Sequence, residues 1–328
     1  GIINNQVIEL LKEISKNTNI EITLVFIWQP FFYFFYHRKI ALLNSNLKTS
    51  NIKTENYYFA LPNRFFFTKK ILLNALIIYL SFLFSFLNLN RFKIVHCRSY
   101  ISSFIVSSKS KKEKKYQTIF DVRSLLPEEN ITVGTWSYKS DIYKLWKKIE
   151  YLSFKNSNYV ITVSKTMEDK IKKIYNKTNT KNIYLIGSIE KVNFSKKKRI
   201  QIRKKLNFEN KFAILYTGSF GTKIWNNIYN YAELISSLKT FHNELIFVFV
   251  VPKIEPFFIK IFDSYFIPKN CYIFIEGLNK NIFQACDAGI NILSKGPDYR
   301  TRFGVKVAEY FAYGLPVILK NVGGAEEF

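Results

Sequence analysis

The chain has 328 residues, is 48% hydrophobic and carries a formal net charge of +25. That length and apolar content exclude a disordered polymer and point to about two domains, each able to bury a core. The charge invites a nucleic-acid or anionic-membrane partner. However, Lys far outnumbers Arg, and Asn, Ile, Phe and Tyr are abundant, as an AT-rich coding sequence would produce, so nucleic acid is not expected as a partner.

Cys97, Cys271 and Cys286 are odd in number, far apart and without a CxxC pair, so neither a disulfide framework nor a zinc site follows. The three histidines are as scattered, no metal is expected, and a reducing cytoplasm fits. The chain opens on Gly1 and stops in the turn-like NVGGAEEF, so a piece cut at both ends is expected.

Residues 6–16 read as an amphipathic helix and IEITLVFIW (20–28) as a buried strand. Segment 71–89, ILLNALIIYLSFLFSFLNL, is long enough to span a bilayer and is flanked by Lys69, Lys70, Arg91 and Lys93. Asn74, Ser81, Ser85 and Asn88 dilute it. A span would also separate residues 20–28 from 94–122, which read as strands of one sheet. A buried or membrane-grazing helix is the expectation, with peripheral contact at the inner face of the plasma membrane. FKIVHCRSY (92–100) and YQTIFDVRS (116–124) are apolar runs ending in polar residues, separated by the charged turn SKSKKEKK (108–115). A helix at 141–154, the strand YVITVS (159–164), a helix from Lys165 and the run NIYLIGS (182–188) complete a first domain, residues 1–190.

The Lys- and Arg-rich residues 191–210 read as a linker. Residues 211–328 repeat the alternation, with strands at 212–217, 245–251, 271–275, 288–293 and 316–319 and helices near 226–239, 255–264, 279–285 and 304–313. Alternating strands and helices make parallel sheets, and such sheets bind ligands at the carboxyl ends of their strands.

FAILYTGSFGTK (212–223) joins a strand, a glycine turn and a Lys; Gly218 and Gly221 let backbone approach a phosphate. It is neither GxGxxG nor GxxxxGK[ST], so nicotinamide and P-loop readings fail. In TRFGVKVAEYFAYGLPVI (301–318), Lys306 and Glu309 share one helix face. Two readings stand side by side. One is a solvated i,i+3 ion pair worth about 0.3 kcal/mol. The other is a ligand site, with Lys306 on a phosphate at the helix N-terminus and Glu309 accepting from a ribose diol. In the first domain His96, Arg98, Asp121 and Arg123 lie at or just past strand ends, with Glu128 and Glu129 close behind.

DAGINILSKGPDYRTRFGVKVAEYFAYGLPVILKNVGGAEE resembles the donor-site region of GT-B glycosyltransferases of the family 4 type. ILYTGSFGTK resembles the family's strand–Gly–Lys loop, and VHCRSY, IFDVRSLLPEE and YVITVSKTMEDKI its amino-terminal domain in bacterial members that build surface polysaccharides. GIINNQVIELLKEI resembles the end of its first glycine loop and its first helix. The resemblance implies two Rossmann-like parallel-sheet domains facing a cleft. It also implies a metal-independent, retaining hexosyltransferase with no cofactor, taking a nucleotide-sugar donor and a glycan or lipid-linked acceptor in envelope biosynthesis. By position it implies a catalytic set of Asp121, Arg123 and Lys223. Donor contacts fall at Gly1, Gly218, Lys223 and Glu309, with Arg302 and Lys306 as further candidates in the same block. His96, Arg98, Glu128 and Glu129 fall on the acceptor side. One departure stands out: Thr301 occupies the position of a Glu that faces the donor sugar in many members. It gives weight to one rival reading, a catalytically inactive carbohydrate-binding or scaffold relative; a second rival, a nucleotide-sugar epimerase of the same fold, needs acid/base residues facing the sugar, for which Thr301 makes no case.

Overall fold

The computed structural model describes residues 7–28, 30–58, 67–109, 114–183, 194–221, 226–241, 243–277 and 280–320. Two compact units result, one built on residues 1–79 and the other on residues 80–185 and 191–328. This division differs from the expected cut near residue 190. Of the expected site residues, Gly1 and Lys223 lie outside the described residues, as do most of NIYLIGS and all of 321–328.

In the first unit, α1 (Glu9–Asn17), β1 (Ile22–Trp28), α2 (Pro30–Lys48) and β2 (Ile52–Tyr58) follow one another. β1 and β2 pair in parallel, Ile22 against Ile52 through Trp28 against Tyr58. Ile8, Leu47 and Ile52 form the core, with Leu11, Leu24 and Phe26 packed on it. α3 (Lys70–Ser85) follows. Among the described residues no helix is long and apolar enough to cross a membrane.

The second unit opens with β3 (Ile94–Cys97), α4 (Tyr100–Ser108), β4 (Gln117–Asp121), α5 (Leu126–Thr132), α6 (Asp141–Asn156), β5 (Tyr159–Thr162), α7 (Lys165–Tyr175) and β6 (Thr180–Asn182). These four strands form a parallel sheet in sequential order. β1 and β3 were expected in one sheet; among the described residues β1 pairs only with β2. Alternation sends Phe120 and Val122 into an apolar core, where Phe120 meets the Tyr100 and Phe154 rings at centroid distances of 5.2 Å.

The remaining elements are α8 (Lys196–Lys205), β7 (Phe212–Thr217), α9 (Ile228–Ser237), β8 (Leu245–Val251), α10 (Pro256–Ser264), β9 (Tyr272–Glu276), α11 (Ile282–Ala285), β10 (Ala288–Asn291), α12 (Val305–Ala312) and β11 (Val317–Leu319). Their strands make a parallel sheet in the order β11-β10-β7-β8-β9. Along β7 the side chains alternate between two cores. Ile214 and Tyr216 face α9 and α10, while Ala213 and Leu215 face α11 and α12. Such continuous apolar strands need helices on both faces of the sheet.

α8 corrects the expectation of a linker. Ser195 caps it by accepting from Lys198 N, and Arg199 and Arg203, one turn apart, both bind Asp287 just ahead of β10. Its Lys-rich face is the outer side of a helix docked on this sheet.

Candidate functional site

Chain order and strand order reverse between β7 and β10, the first and fourth strands of the sheet. In an open parallel sheet the loops part at that point and leave a crevice at the carboxyl ends. β7 ends at Thr217 and runs into Gly218, whose φ of +128° is a backbone conformation that side chains disfavour. β10 ends at Asn291, which is buried with its Oδ1 unpartnered.

α12 is docked over this point by Tyr310. Its hydroxyl accepts from Thr217 N at 3.0 Å, and its ring lies so close to β10 that a Cβ on Gly289 would stand 2.4 Å from it. Gly289 is therefore the residue that lets α12 sit against the sheet. The N-terminus of α12 follows Gly304 and has no side-chain cap. First-turn N–H groups of such a helix are left for water or a ligand.

Lys306, in that first turn, is half-buried as a residue, but its Nζ is enclosed and has no hydrogen-bond partner. The ammonium lies 4.0 Å from the centre of the Tyr216 ring, and a Cβ on Gly218 would stand 3.1 Å from it. Burial pushes its pKa down to about 7, with the charge of Glu309 acting in the opposite sense. The solvated-pair reading of Lys306 and Glu309 does not hold, because the ammonium turns toward the Tyr216 ring and Gly218 and makes no ion pair within 4 Å among the described residues. Glu309 is half-buried, and burial raises its carboxyl against the pull of Lys306 and Lys280.

Arg302 and Thr301 are placed differently from expectation. Arg302 is 2% exposed, and its Nε and Nη2 hold both oxygens of Asp298 at 2.7 and 2.6 Å. Thr132 donates to the same carboxylate at 2.8 Å. This is a buried structural pair, neither an open donor contact nor a solvated loop charge. Thr301 is equally buried; its hydroxyl donates to Asp298 O, and its carbonyl accepts from Ser164 at 2.9 Å. Through these bonds the 298–302 turn ties the β10–α12 connection to α5 and to the start of α7.

In the β3–β6 sheet the structure brings four of the expected residues together. Asp121, 2% exposed, accepts at Oδ2 from Arg123 Nη2 at 2.6 Å and lies 3.2 Å from His96 Nε2. Arg98 stands near both. Burial, then the neighbouring charge of Arg123, lowers its pKa to about 10, and Asp121 opposes this. Glu129 accepts from Ser124 at 2.8 Å, and burial raises its carboxyl. Glu128 turns inward instead, accepting from Lys147 at 2.9 Å beside the buried Glu150, so it serves the packing of α5 on α6.

Tyr216, Asn291 and Tyr310 complete the β7–β10 site and were not singled out in the sequence. Gly289, a lone glycine in an apolar strand run, was the available signal of close approach.

Strand order, enclosed cation and open helix end define a Rossmann-like α/β unit of the kind that holds nucleotides at its switch point. No protein-family model and no curated protein matches the sequence. Solved structures do match. HepE of Anabaena, crystallised with UDP-glucose, superposes with a TM-score of 0.62 at 14% identity, over 93% of this chain and 82% of that one. Sucrose-phosphate synthase of Thermosynechococcus elongatus gives 0.60 at 12%, over 93% and 83%. WaaG, a glycosyltransferase involved in lipopolysaccharide biosynthesis, gives 0.59 at 13%, over 93% and 83%. The chain has the GT-B fold that these glycosyltransferases share.

Proposed function

We propose that the protein transfers a sugar from a nucleotide-sugar donor, with the donor diphosphate held between Gly218 and the N-terminus of α12. The carrying observation is Lys306, an enclosed ammonium without a hydrogen-bond partner at the switch point of a parallel sheet. An enclosed cation that only filled space would be costly, whereas a diphosphate would pair it. HepE, which has the same fold, binds UDP-glucose, and this supports the choice of donor class.

In the reaction, negative charge grows on the departing diphosphate. Lys306 and the positive N-terminal end of α12 are preorganised to meet it, the type of device that contributes most to such steps. The acceptor hydroxyl attacks the anomeric carbon on the leaving-group face. The bond to the diphosphate oxygen breaks, and a phosphate oxygen takes the hydroxyl proton, so configuration is retained without a metal. Glu309 holds the ribose, and Lys223 adds a second cation. An acceptor in envelope or polysaccharide synthesis is the reading that WaaG, a glycosyltransferase involved in lipopolysaccharide biosynthesis, supports among proteins of this fold.

The buried Thr301, where a sugar-facing Glu stands in many members, favours a second reading: a relative that binds nucleotide sugars without turnover. One experiment addresses both. UDP binding is measured by calorimetry and UDP-sugar turnover by nucleotide release, for wild type and Lys306→Met. Binding and turnover that both fall in the variant support transfer; binding that falls without any wild-type turnover supports the second reading. Wild-type UDP affinity in Lys306→Met removes the donor-site proposal.

A further inference from the structure

We infer that Thr132 of α5 and Ser164 ahead of α7, both attached to the β3–β6 sheet, are positioning residues for the candidate donor site in the other sheet. They brace the 296–302 turn that launches α12, and so set where Lys306 stands. The word donor rests on the transferase reading; the brace rests on its own contacts.

Residues 292–304 separate β10 from α12, and a connection of that length moves unless something holds it. Tyr310 fixes α12 to Thr217 N only in its second turn. The first turn, which carries Lys306, has no side-chain cap, and such a turn frays unless the chain before it is fixed. The β7–β11 sheet contributes the Asn230 Nδ2 bond to Ser294 Oγ at 3.1 Å, which precedes the turn. The turn itself is held from the other sheet. The Thr132 hydroxyl has one proton and two acceptors in reach, Asp298 Oδ1 at 2.8 Å and Glu128 O of its own helix at 3.0 Å. The buried carboxylate is the stronger acceptor. Ser164 donates to Thr301 O at 2.9 Å while accepting from Met167 N at 3.1 Å as the cap of α7. Gly296 lies so close to Thr132 that a Cβ there would stand 2.1 Å from Oγ1 and 2.4 Å from Cγ2. Asp298 passes this anchorage to Arg302, whose Nη1 also reaches Ser294 O at 3.3 Å.

Apolar contact alone would hold the two sheets together without fixing one register. Hydrogen bonds to a carboxylate and a carbonyl, and a glycine that fits one side chain, define a single position for the turn. A cation that meets a diphosphate has to be in place before the ligand arrives, and its supporting residues decide whether it is. Lys306 lies four residues beyond Arg302, so it inherits the position of the turn. Misplacing such a group by about 1 Å can cost on the order of 100-fold. Without the brace the first turn of α12 would loosen and admit water to the ammonium. Its pKa would then climb from about 7 toward the ordinary lysine value, with Glu309 still favouring the charged form.

The test uses the full chain. Thr132→Val keeps the shape and removes the hydroxyl, and Thr132→Ser restores it. Ser164→Gly removes the second bond and leaves an acceptable cap for α7. The Lys306 titration is followed in the free proteins by side-chain NMR, its signal assigned by its absence in Lys306→Arg, at a temperature where each variant is fully folded. UDP affinity is measured by calorimetry. Thr132→Val and Ser164→Gly should each raise the Lys306 titration by about one pH unit or more and weaken UDP about tenfold or more, with Thr132→Ser near wild type in both. A purely structural role would lower the urea midpoint and leave the Lys306 titration where it was. An unchanged titration in both Thr132→Val and Ser164→Gly therefore overturns the inference, whatever happens to stability; if Thr132→Val does not fold, Ser164→Gly decides alone. Failure of the donor reading looks different: UDP does not bind the wild type, while the Lys306 titration still follows Thr132.

Discussion

Lys306 and Gly218 meet across the gap between α12 and β7, with the ammonium 3.1 Å from where a Gly218 Cβ would stand. A side chain at 218 would crowd that cation and would also have to adopt φ of +128°. Gly218→Ala should therefore cost about 1–3 kcal/mol of stability from backbone strain alone. It should also weaken UDP by more than the lost stability explains. Chemical denaturation and calorimetry on the same preparation check both parts, and a variant of unchanged stability and affinity contradicts the close approach.

The same ammonium gives a pH dependence of known sign. In the free protein Lys306 titrates at about 7, because burial disfavours its charge. An anion favours the charged form, so UDP binding takes up a proton wherever free Lys306 is neutral. Between pH 7 and 9, where the phosphates are already ionised, the wild-type Kd should rise by up to about tenfold per unit. Lys306→Arg, always charged, should bind with a flat profile over that range. Without ligand, the folded pKa lies below the unfolded value of about 10.4, so the unfolded chain holds the extra proton. Wild-type stability relative to Lys306→Met should then rise with pH from about 7 to 10. Buffer-dependent calorimetry counts the protons; equal heats across buffers at pH 8 would count against the enclosed cation.

Arg302→Met should be among the most destabilising single changes in the chain. It leaves Asp298 charged and buried with only Thr132 and its own turn for company, and removing one partner of a buried pair costs about 3–5 kcal/mol. Thr301→Ala loses one hydroxyl bond and should cost about 1 kcal/mol. If Arg302 were instead a donor contact, Arg302→Met would fold normally and lose UDP. Urea titration of both variants separates the two outcomes.

Where side-chain periodicity is strong, the elements can be read directly. β7, β8 and β9 are apolar runs bounded by turn residues, and α6 and α7 start at serines that cap them by accepting Tyr143 N and Met167 N. α4 is harder. YISSFIVSS is rich in Ser and β-branched residues, poor helix formers, and only the burial of Tyr100, Ile105 and Val106 makes it a helix. α8 reads as linker because KKKRIQIRKK has no apolar stripe; its anchor is the pair of arginines on Asp287, a long-range contact. β2, IKTENYY, is mostly polar and has a partner only once β1 lies beside it. At the site, charge and spacing pointed to Lys306, Glu309 and the Asp121 cluster. They could not tell that Arg302 lies inside while Lys306 faces Gly218, since both follow from the turn at 298–302.

α3 presents Ile71, Ile78 and Phe82 to solvent, 82%, 71% and 60% exposed, and buries Leu73, Leu76 and Leu80 on its other side. Lys69 and Lys70 lie at one end; past the other, Arg91 stacks over Phe92 at 4.6 Å. Apolar contact and attraction to anionic lipid add together on such a helix. The protein should float with phosphatidylserine vesicles at low salt and be partly released at high salt. Ile78→Asp with Phe82→Asp should reduce flotation about tenfold or more, while UDP affinity stays as in wild type. Equal flotation of the double variant would exclude α3 as the contact.

Lys306 and Glu309 share a helix but should fail differently when changed. In the proposed donor site Lys306 would meet the diphosphate, where charge grows as the leaving group departs, so its contribution should be greatest in the transition state. Lys306→Met should lower kcat by about 100-fold or more, by analogy with the loss of one preorganised donor. Glu309, one turn on and half-buried, would in the same proposal accept from a ribose whose hydroxyls do not change during transfer. It binds ground and transition states alike, so Glu309→Ala should raise the donor KM and leave kcat near wild type. Glu309→Gln keeps one acceptor oxygen and should lie between the two. The opposite pattern, a KM effect from Lys306 and a kcat effect from Glu309, would reverse the assignment of the two residues. Wild-type kinetics in both variants would place the donor elsewhere. Steady-state turnover with a UDP-sugar that the wild type accepts, measured over a donor range that brackets each KM, distinguishes the three patterns.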